Sequence, residues 1–193
     1  MSEFRHYKLW KPYGYLSQFI NNQNRRKNKK LLSDLIDVEA DMMSIGRLDE
    51  KSEGLLLLTN NGKLSQLIRG QKVEKEYLVK VDGLIDQPAV EQLQKGVSIS
   101  IYGKIYQTLP CEIALMEEEP VIPTNQPLRE RKHGPTSWLS IKLREGKFRQ
   151  IRKMTAAVGF PCLRLIRTRI GNETLHSLEP GKCVEVDTFD IGF

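Results

Sequence analysis

The sequence carries little that could staple a fold covalently or through a metal. Its cysteines, Cys111, Cys162 and Cys183, are odd in number and form no CxxC pair, and His6, His133 and His176 stand apart from them and from one another. A disulfide framework and a ligand-spaced metal site are excluded, so packed, reduced thiols and no metal are expected. Long apolar runs are also missing. The longest, the leucines at 55–58, falls far short of the roughly 20 residues a membrane helix needs, and MSEFRHYKLWKPYGYL holds no apolar leader segment. The expected setting is the cytoplasm, with no membrane association. Phosphate-loop, dinucleotide, zinc-protease and serine-hydrolase signatures (GxxxxGK[ST], GxGxxG, HExxH, GxSxG) are absent as well. Nucleotide hydrolysis, dinucleotide redox chemistry and zinc proteolysis are therefore not expected, and no cofactor is.

What is present is positive charge. The 193 residues carry a formal charge of +6, which favours a polyanionic partner through counterion release. RRKNKK at 25–30, RERK at 129–132 and Arg164, Arg167 and Arg169 read as backbone-positioning contacts to a nucleic acid.

Periodicity sketches the elements. Residues 4–10 alternate weakly and lead into KPYG at 11–14, a strand then a loop. Residues 21–30 hold no apolar side chain and read as an exposed basic loop, and Leu31, Leu32, Leu35 and Ile36 at helical spacing predict a short helix. The leucines at 55–58, closed by Asn60-Asn61-Gly62, predict a buried strand. KLSQLIR predicts a helix stopped at Gly70, and 74–83 a half-buried strand with Tyr77, Val79 and Val81 on one face.

Asp86 as N-cap, Pro88 in the first turn and Gly96 past the end frame another helix. Residues 97–116 read as two strands around Tyr102-Gly103, and 117–135 as a long surface loop in which Glu117, Glu118 and Glu119 form a solvated tip. Leu139, Ile141 and Leu143 mark a strand. Phe148, Ile151, Thr155 and Val158 mark the inner face of a helix that ends at Gly159, and 162–170 is a further strand before a hairpin turn at EPGK, 179–182. Strands grouped as hairpins rather than in strict βαβ alternation predict an α+β domain with a mixed, largely antiparallel sheet.

Carboxylates and arginines are the remaining chemistry. In GRLD, 46–49, an extended backbone puts Arg47 and Asp49 on one face, so an arginine stands beside the carboxylate. Read alone, this is either a group held ionised for nucleophilic or basic work or a surface ion pair at a strand entrance. In EGKFRQIRK, 145–153, Arg149, Arg152 and Lys153 fall on one flank of the predicted helix. They form a cationic ridge that grips phosphate or clamps a carboxylate, or else a solvated amphipathic face. Tyr77 by itself is a strand aromatic facing the core.

Taken together and in order, KPYG, GRLDEKSEGLLLLTNNGKL, KEYLVKVDG and EGKFRQIRKMTAAVGFPCLRLIRTRIG resemble the small-subunit-type branch of the RNA pseudouridine synthases across nearly the whole chain. The resemblance implies that fold, with an active-site cleft across a sheet flanked by helices. It also implies isomerisation of uridine to pseudouridine in large-subunit ribosomal RNA. By motif it makes Asp49 the catalytic aspartate, acting at C1′ or C2′ of the ribose, Tyr77 the aromatic that stacks on the base, and Arg152 the partner of Asp49. Ile151 would line the pocket, while Arg47, Arg149 and Lys75 would bind substrate. One catalytic domain of two lobes over 1–193 is expected, working as a monomer. The family often carries an N-terminal RNA-binding module of the S4 type, and its absence is expected because KPYG already stands at 11–14. The alternative is a non-catalytic RNA-binding or ribosome-assembly factor on the same fold, in which the basic surface, not Asp49, carries the role.

Overall fold

The computed structural model describes residues 4–20, 28–123, 126, 134–175 and 178–192. The strands are β1 (His6–Lys11), β2 (Met43–Ser44), β3 (Glu53–Thr59), β4 (Lys75–Asp82), β5 (Ser98–Ile101), β6 (Lys104–Gln107), β7 (Glu112–Leu115), β8 (Thr136–Leu143), β9 (Cys162–Ile170), β10 (Glu173–Thr174) and β11 (Cys183–Val186). The α-helices are α1 (Gly62–Arg69), α2 (Gln87–Lys95) and α3 (Gln150–Ala157). The central sheet runs β11-β1-β3-β9-β4-β8-β7, with β2 attached to β3 and β10 to β9, while β5 and β6 form a separate hairpin. The β3–β9 pairing is parallel and the other pairings are antiparallel.

The leucine run shows why a continuous apolar strand is needed here. Every residue of β3 is buried. Strand side chains alternate between faces, so Leu55 and Leu57 enter one core with Ile68 and Ile166, and Leu56 and Leu58 enter another with Leu9 and Leu32. Each buried leucine contributes about 1.5–3 kcal/mol, and this strand is covered on both sides. Gly54 sits at φ +105, and a Cβ there would stand 2.2 Å from the carbonyl oxygen of Arg167. Only glycine lets β3 come this close to β9. A third core gathers Tyr77, Val79 and Val81 from β4 with Leu139 and Ile141 from β8, beneath α2 and α3.

Several elements form as their chemistry predicts. The Asn61 side chain accepts from the Leu64 N–H at the start of α1, and Gly70 follows its end. Asp86 accepts from the Ala89 N–H ahead of Pro88, and Gly96 follows α2 with φ 93. Other expectations are corrected. Leu31 to Ile36 give a single 3₁₀ turn, Leu32–Asp34, in which Leu32 is fully buried while Leu35 and Ile36 pack only partly against the same core. Residues 97–116 give three strands rather than two; the third, β7, leaves the hairpin and pairs with β8. EPGK is a turn but joins no hairpin, since β11 after it pairs with β1. Phe148 lies before α3 and is 47% exposed, so it is not on the helix's inner face; Ile151 and Thr155 are buried there as expected, together with Gln150 and Met154. Residues 21–27, RERK at 129–132, and His133 and His176 lie outside the described residues. Among the described residues no helix is long and apolar enough to cross a membrane.

Candidate functional site

The segment 46–52 is irregular chain feeding β3, and it is tied down from several sides. The Ser17 hydroxyl donates to the Leu48 carbonyl at 2.8 Å and accepts from the Leu48 N–H at 2.9 Å. The Gly14 N–H donates to the Glu50 carbonyl at 2.8 Å, which makes KPYG the clamp on this loop. Fully buried Lys11 donates to the carbonyls of Pro12 and Ser52, at 3.0 and 2.7 Å. Burial lowers its pKa to about 7, against the pull of Glu53, Asp49 and Glu50. At the entrance to β3, Glu53 is gripped through both oxygens by Arg164 of β9, at 2.9 and 3.2 Å, with both side chains buried.

Asp49 stands on this braced loop with its side chain 25% exposed. Its Oδ2 lies 3.4 Å from Arg149 Nη1 and 3.9 Å from Arg152 Nε. The arginine expected as its main partner, Arg152, is therefore the farther of the two by distance. Arg152 also holds the loop itself, since its Nη2 donates to the Lys51 carbonyl at 2.6 Å and to Ser52 Oγ at 3.3 Å, and its Nη1 to the Cys162 carbonyl at 3.3 Å. Its buried Nε makes no hydrogen bond and faces the carboxylate. Arg47 is exposed, and among the described residues no ion pair joins it to Asp49.

The predicted cationic ridge is split. Arg149 is not on the helix: it caps α3 in the left-handed conformation, φ 53 and ψ 34, which turns its guanidinium back over Asp49. Such a conformation costs a non-glycine residue on the order of 1–3 kcal/mol. The turn is held by buried Glu145, which accepts from Tyr106 Oη at 2.6 Å, the Leu109 N–H at 2.9 Å and Gln150 Nε2 at 2.5 Å. Gln150 in turn accepts from the Lys147 N–H at 3.0 Å. Lys153 faces away, donating to the Ser100 carbonyl.

Arg164, Arg167 and Arg169 do not extend the positive surface either. Arg164 is bound to Glu53, Arg167 is 5% exposed with its Nε on the Leu55 carbonyl at 2.7 Å, and Arg169 pairs with Glu74 and Glu76 at 2.7 and 2.9 Å. β9 is an interior strand, and its arginines neutralise carboxylates or satisfy backbone.

A cavity of about 350 Å³ opens beside Asp49, within the range of small-ligand pockets. Arg47, Asp49, Lys75, Tyr77, Arg149 and Ile151 all line it; Arg152 does not, because it braces the loop from behind. Tyr77 is 9% exposed on β4, where the β4–β9 register shifts between Glu76 and Tyr77, and such irregularities re-aim side chains next to sites. Lys75 donates to the Gly70 carbonyl at 3.0 Å, and burial, then Arg167 and Arg144, lowers its pKa to about 8. Leu165 and Ile151 supply apolar wall. Burial raises the thiols of Cys111, Cys162 and Cys183 to about 11, so they are free but not thiolates.

Sequence reasoning missed Ser17, Lys11 and Glu145, and it took Arg167, buried at the cavity wall, for a surface contact. Lys11, Glu145 and Arg167 sat inside quoted motifs, yet nothing in their spacing announces burial. Ser17 gives no local signal.

A loop carboxylate beside two arginines thus stands over a half-apolar cavity with an aromatic wall on a mixed sheet. The model of the family described as RNA pseudouridylate synthase matches residues 6–157. The chain belongs to that family and is an RNA pseudouridine synthase. It is 42% identical over 178 residues to the ribosomal large subunit pseudouridine synthase E of Vibrio parahaemolyticus, covering 91% of this chain and 71% of that protein. It is 38% identical over 175 residues to the protein of that name from Xanthomonas axonopodis pv. citri, covering 89% and 88%. A solved structure described as a pseudouridylate synthase superposes with a TM-score of 0.76 at 24% identity, over 96% of this chain and 71% of that one, and agrees in fold.

Proposed function

We propose that this protein isomerises a uridine of large-subunit ribosomal RNA to pseudouridine, with Asp49 acting on the ribose of a nucleotide flipped into the cavity. The observation that carries the reading is the placement of Asp49 at the cavity, backed by Arg149 and Arg152 and facing the same space as Tyr77 and Ile151. The names of the Vibrio and Xanthomonas relatives support the choice of RNA.

The reaction breaks the N1–C1′ bond, turns the base, joins C5 to C1′ and moves a proton from C5 to N1 in net terms. It is an isomerisation and consumes no energy carrier. Asp49 attacks C1′ or removes a proton from C2′; either role needs a carboxylate anion, and Arg149 and Arg152 stand 3.4 and 3.9 Å from its Oδ2. Extruding the uridine costs a few kcal/mol. Stacking on Tyr77 returns on the order of 1–3 kcal/mol, with Ile151 and Leu165 closing the apolar side. Arg47, exposed at the cavity mouth, and Lys75, at its base, contact the nucleotide. The reading takes residues 1–193 as one catalytic domain of two lobes, acting as a cytoplasmic monomer.

The test is incubation of purified protein with unmodified large-subunit RNA, followed by chemical mapping of new pseudouridines. Wild type should introduce pseudouridine and Asp49→Asn should introduce none. An Asp49→Asn protein with full activity would remove Asp49 from the mechanism, and a wild type active on other RNA alone would overturn the substrate.

A further inference from the structure

The hairpin β5–β6 carries an aromatic feature that the cavity does not use. Tyr102 is 81% exposed, and its ring lies on that of Phe148, centroids 5.2 Å apart and planes 18° from parallel. Lys153 Nζ stands 5.1 Å from the Phe148 centroid, so a cation and two stacked rings form one column, with Tyr102 open to solvent. Phe148 lies between Lys147 and Arg149, both of which line the cavity. The column therefore rises at the cavity rim.

The backbone gives a second observation. Tyr102 and Gly103 form the two-residue turn between β5 and β6, with φ 50 and 80. Such turns favour Asn-Gly, because a bulky residue pays for positive φ. Here the bulky residue takes the strained position and leaves its ring exposed to solvent.

Charge decides the occupant. Residues 98–107 contain no acidic side chain, and Glu145, the acid of the neighbouring loop, is buried with its oxygens engaged. Lys153 stands over the Phe148 ring, exposed Lys104 follows the turn, and Lys147, next to Phe148 in sequence, stands over the ring of Tyr106. An exposed aromatic face with lysines nearby and no acid on its hairpin matches single-stranded nucleic acid, in which bases stack and phosphates need cations.

We propose that Tyr102 and Phe148 form a second base-binding site, outside the cavity, that takes an unpaired base of the RNA strand flanking the target nucleotide. This rests on the RNA-modifying reading above. The hairpin then acts as a handle: it holds the strand at the rim while the target enters the cavity, so it affects RNA capture rather than the chemical step.

The experiment compares anisotropy titrations of a fluorescein-labelled 12-nucleotide oligoadenylate and an abasic 12-mer of the same charge. Wild type should bind the oligoadenylate more tightly. Tyr102→Asn, whose side chain suits a left-handed backbone, should lose about 5- to 150-fold of that preference and leave abasic binding unchanged, while Tyr102→Phe retains it. On ribosomal RNA, Tyr102→Asn should raise KM and leave kcat alone.

The proposal is overturned if wild type shows no preference between the oligomers or if Tyr102→Asn keeps it. It is also overturned if sedimentation shows that Tyr102→Asn turns a dimer of this chain into a monomer, since the rings would then be a protein contact. Asp49→Asn should keep the preference. If it keeps both preference and activity, the catalytic reading fails and the base site stands.

Discussion

At Asp49 the two arginines are not equivalent, because the nearer one is the more exposed. Arg149 is nearer, but its side chain is 40% exposed, whereas that of Arg152 is 11% exposed and also holds Lys51 and Ser52. Water screens an exposed pair to within about 1 kcal/mol, while truncating a buried, hydrogen-bonded charge costs about 2–5 kcal/mol. Arg152→Met should therefore lower kcat/KM on ribosomal RNA by about 30-fold or more, and Arg149→Gly by no more than about fivefold. Because Arg149 sits at φ 53, glycine there should also raise stability to urea by about 1 kcal/mol. A variant that gains stability while losing activity would mark a strain kept for the site. None of this was readable from the spacing of Arg149 and Arg152, which assumed both on one helix; the left-handed cap of α3 depends on Glu145 and Gln150 closing the turn.

Among the elements, β3 and β9 hold the loop of Asp49 through a buried ion pair, and β1 through the buried amine of Lys11. Glu53→Leu or Arg164→Leu alone should cost roughly 3–5 kcal/mol in urea unfolding, because each strands a buried charge. The double leucine variant should come out near wild type. Lys11 makes a pH prediction. Burial holds its pKa at about 7 in the fold against the 10.5 of an exposed lysine, so the unfolded chain binds more protons across that window and stability rises with pH between those values. The difference in unfolding free energy between wild type and Lys11→Met should grow from pH 7 to pH 10 and be flat below pH 6. A pH-independent difference would show that Lys11 does not titrate there. The elements themselves were largely legible: the leucine strand, the alternating Tyr77 strand and the capped helices follow from local rules. The third strand within 97–116 was not, because the partner that makes β7 a strand, β8, lies far along the chain.

For the molecule as a whole, the net charge of +6 correctly suggested a polyanion but not where it docks. Arg164 and Arg169 are spent on carboxylates inside the sheet, so they contribute nothing to phosphate binding. Lys147→Gln should reduce the slope of log binding constant against log salt by about 0.7 for single-stranded RNA, while the Glu53→Leu, Arg164→Leu pair should leave it unchanged. Titrations at several salt concentrations read both. By itself the sequence determined the class of the fold and, through its four ordered motifs, the family, because those are properties of residue type and order. The tertiary structure decided which arginine screens Asp49 and which braces its loop, which basic residues face solvent, and that Tyr102 meets Phe148. Those outcomes depend on burial and on the close approach of segments distant in sequence, and period, charge and spacing along a chain carry no record of either.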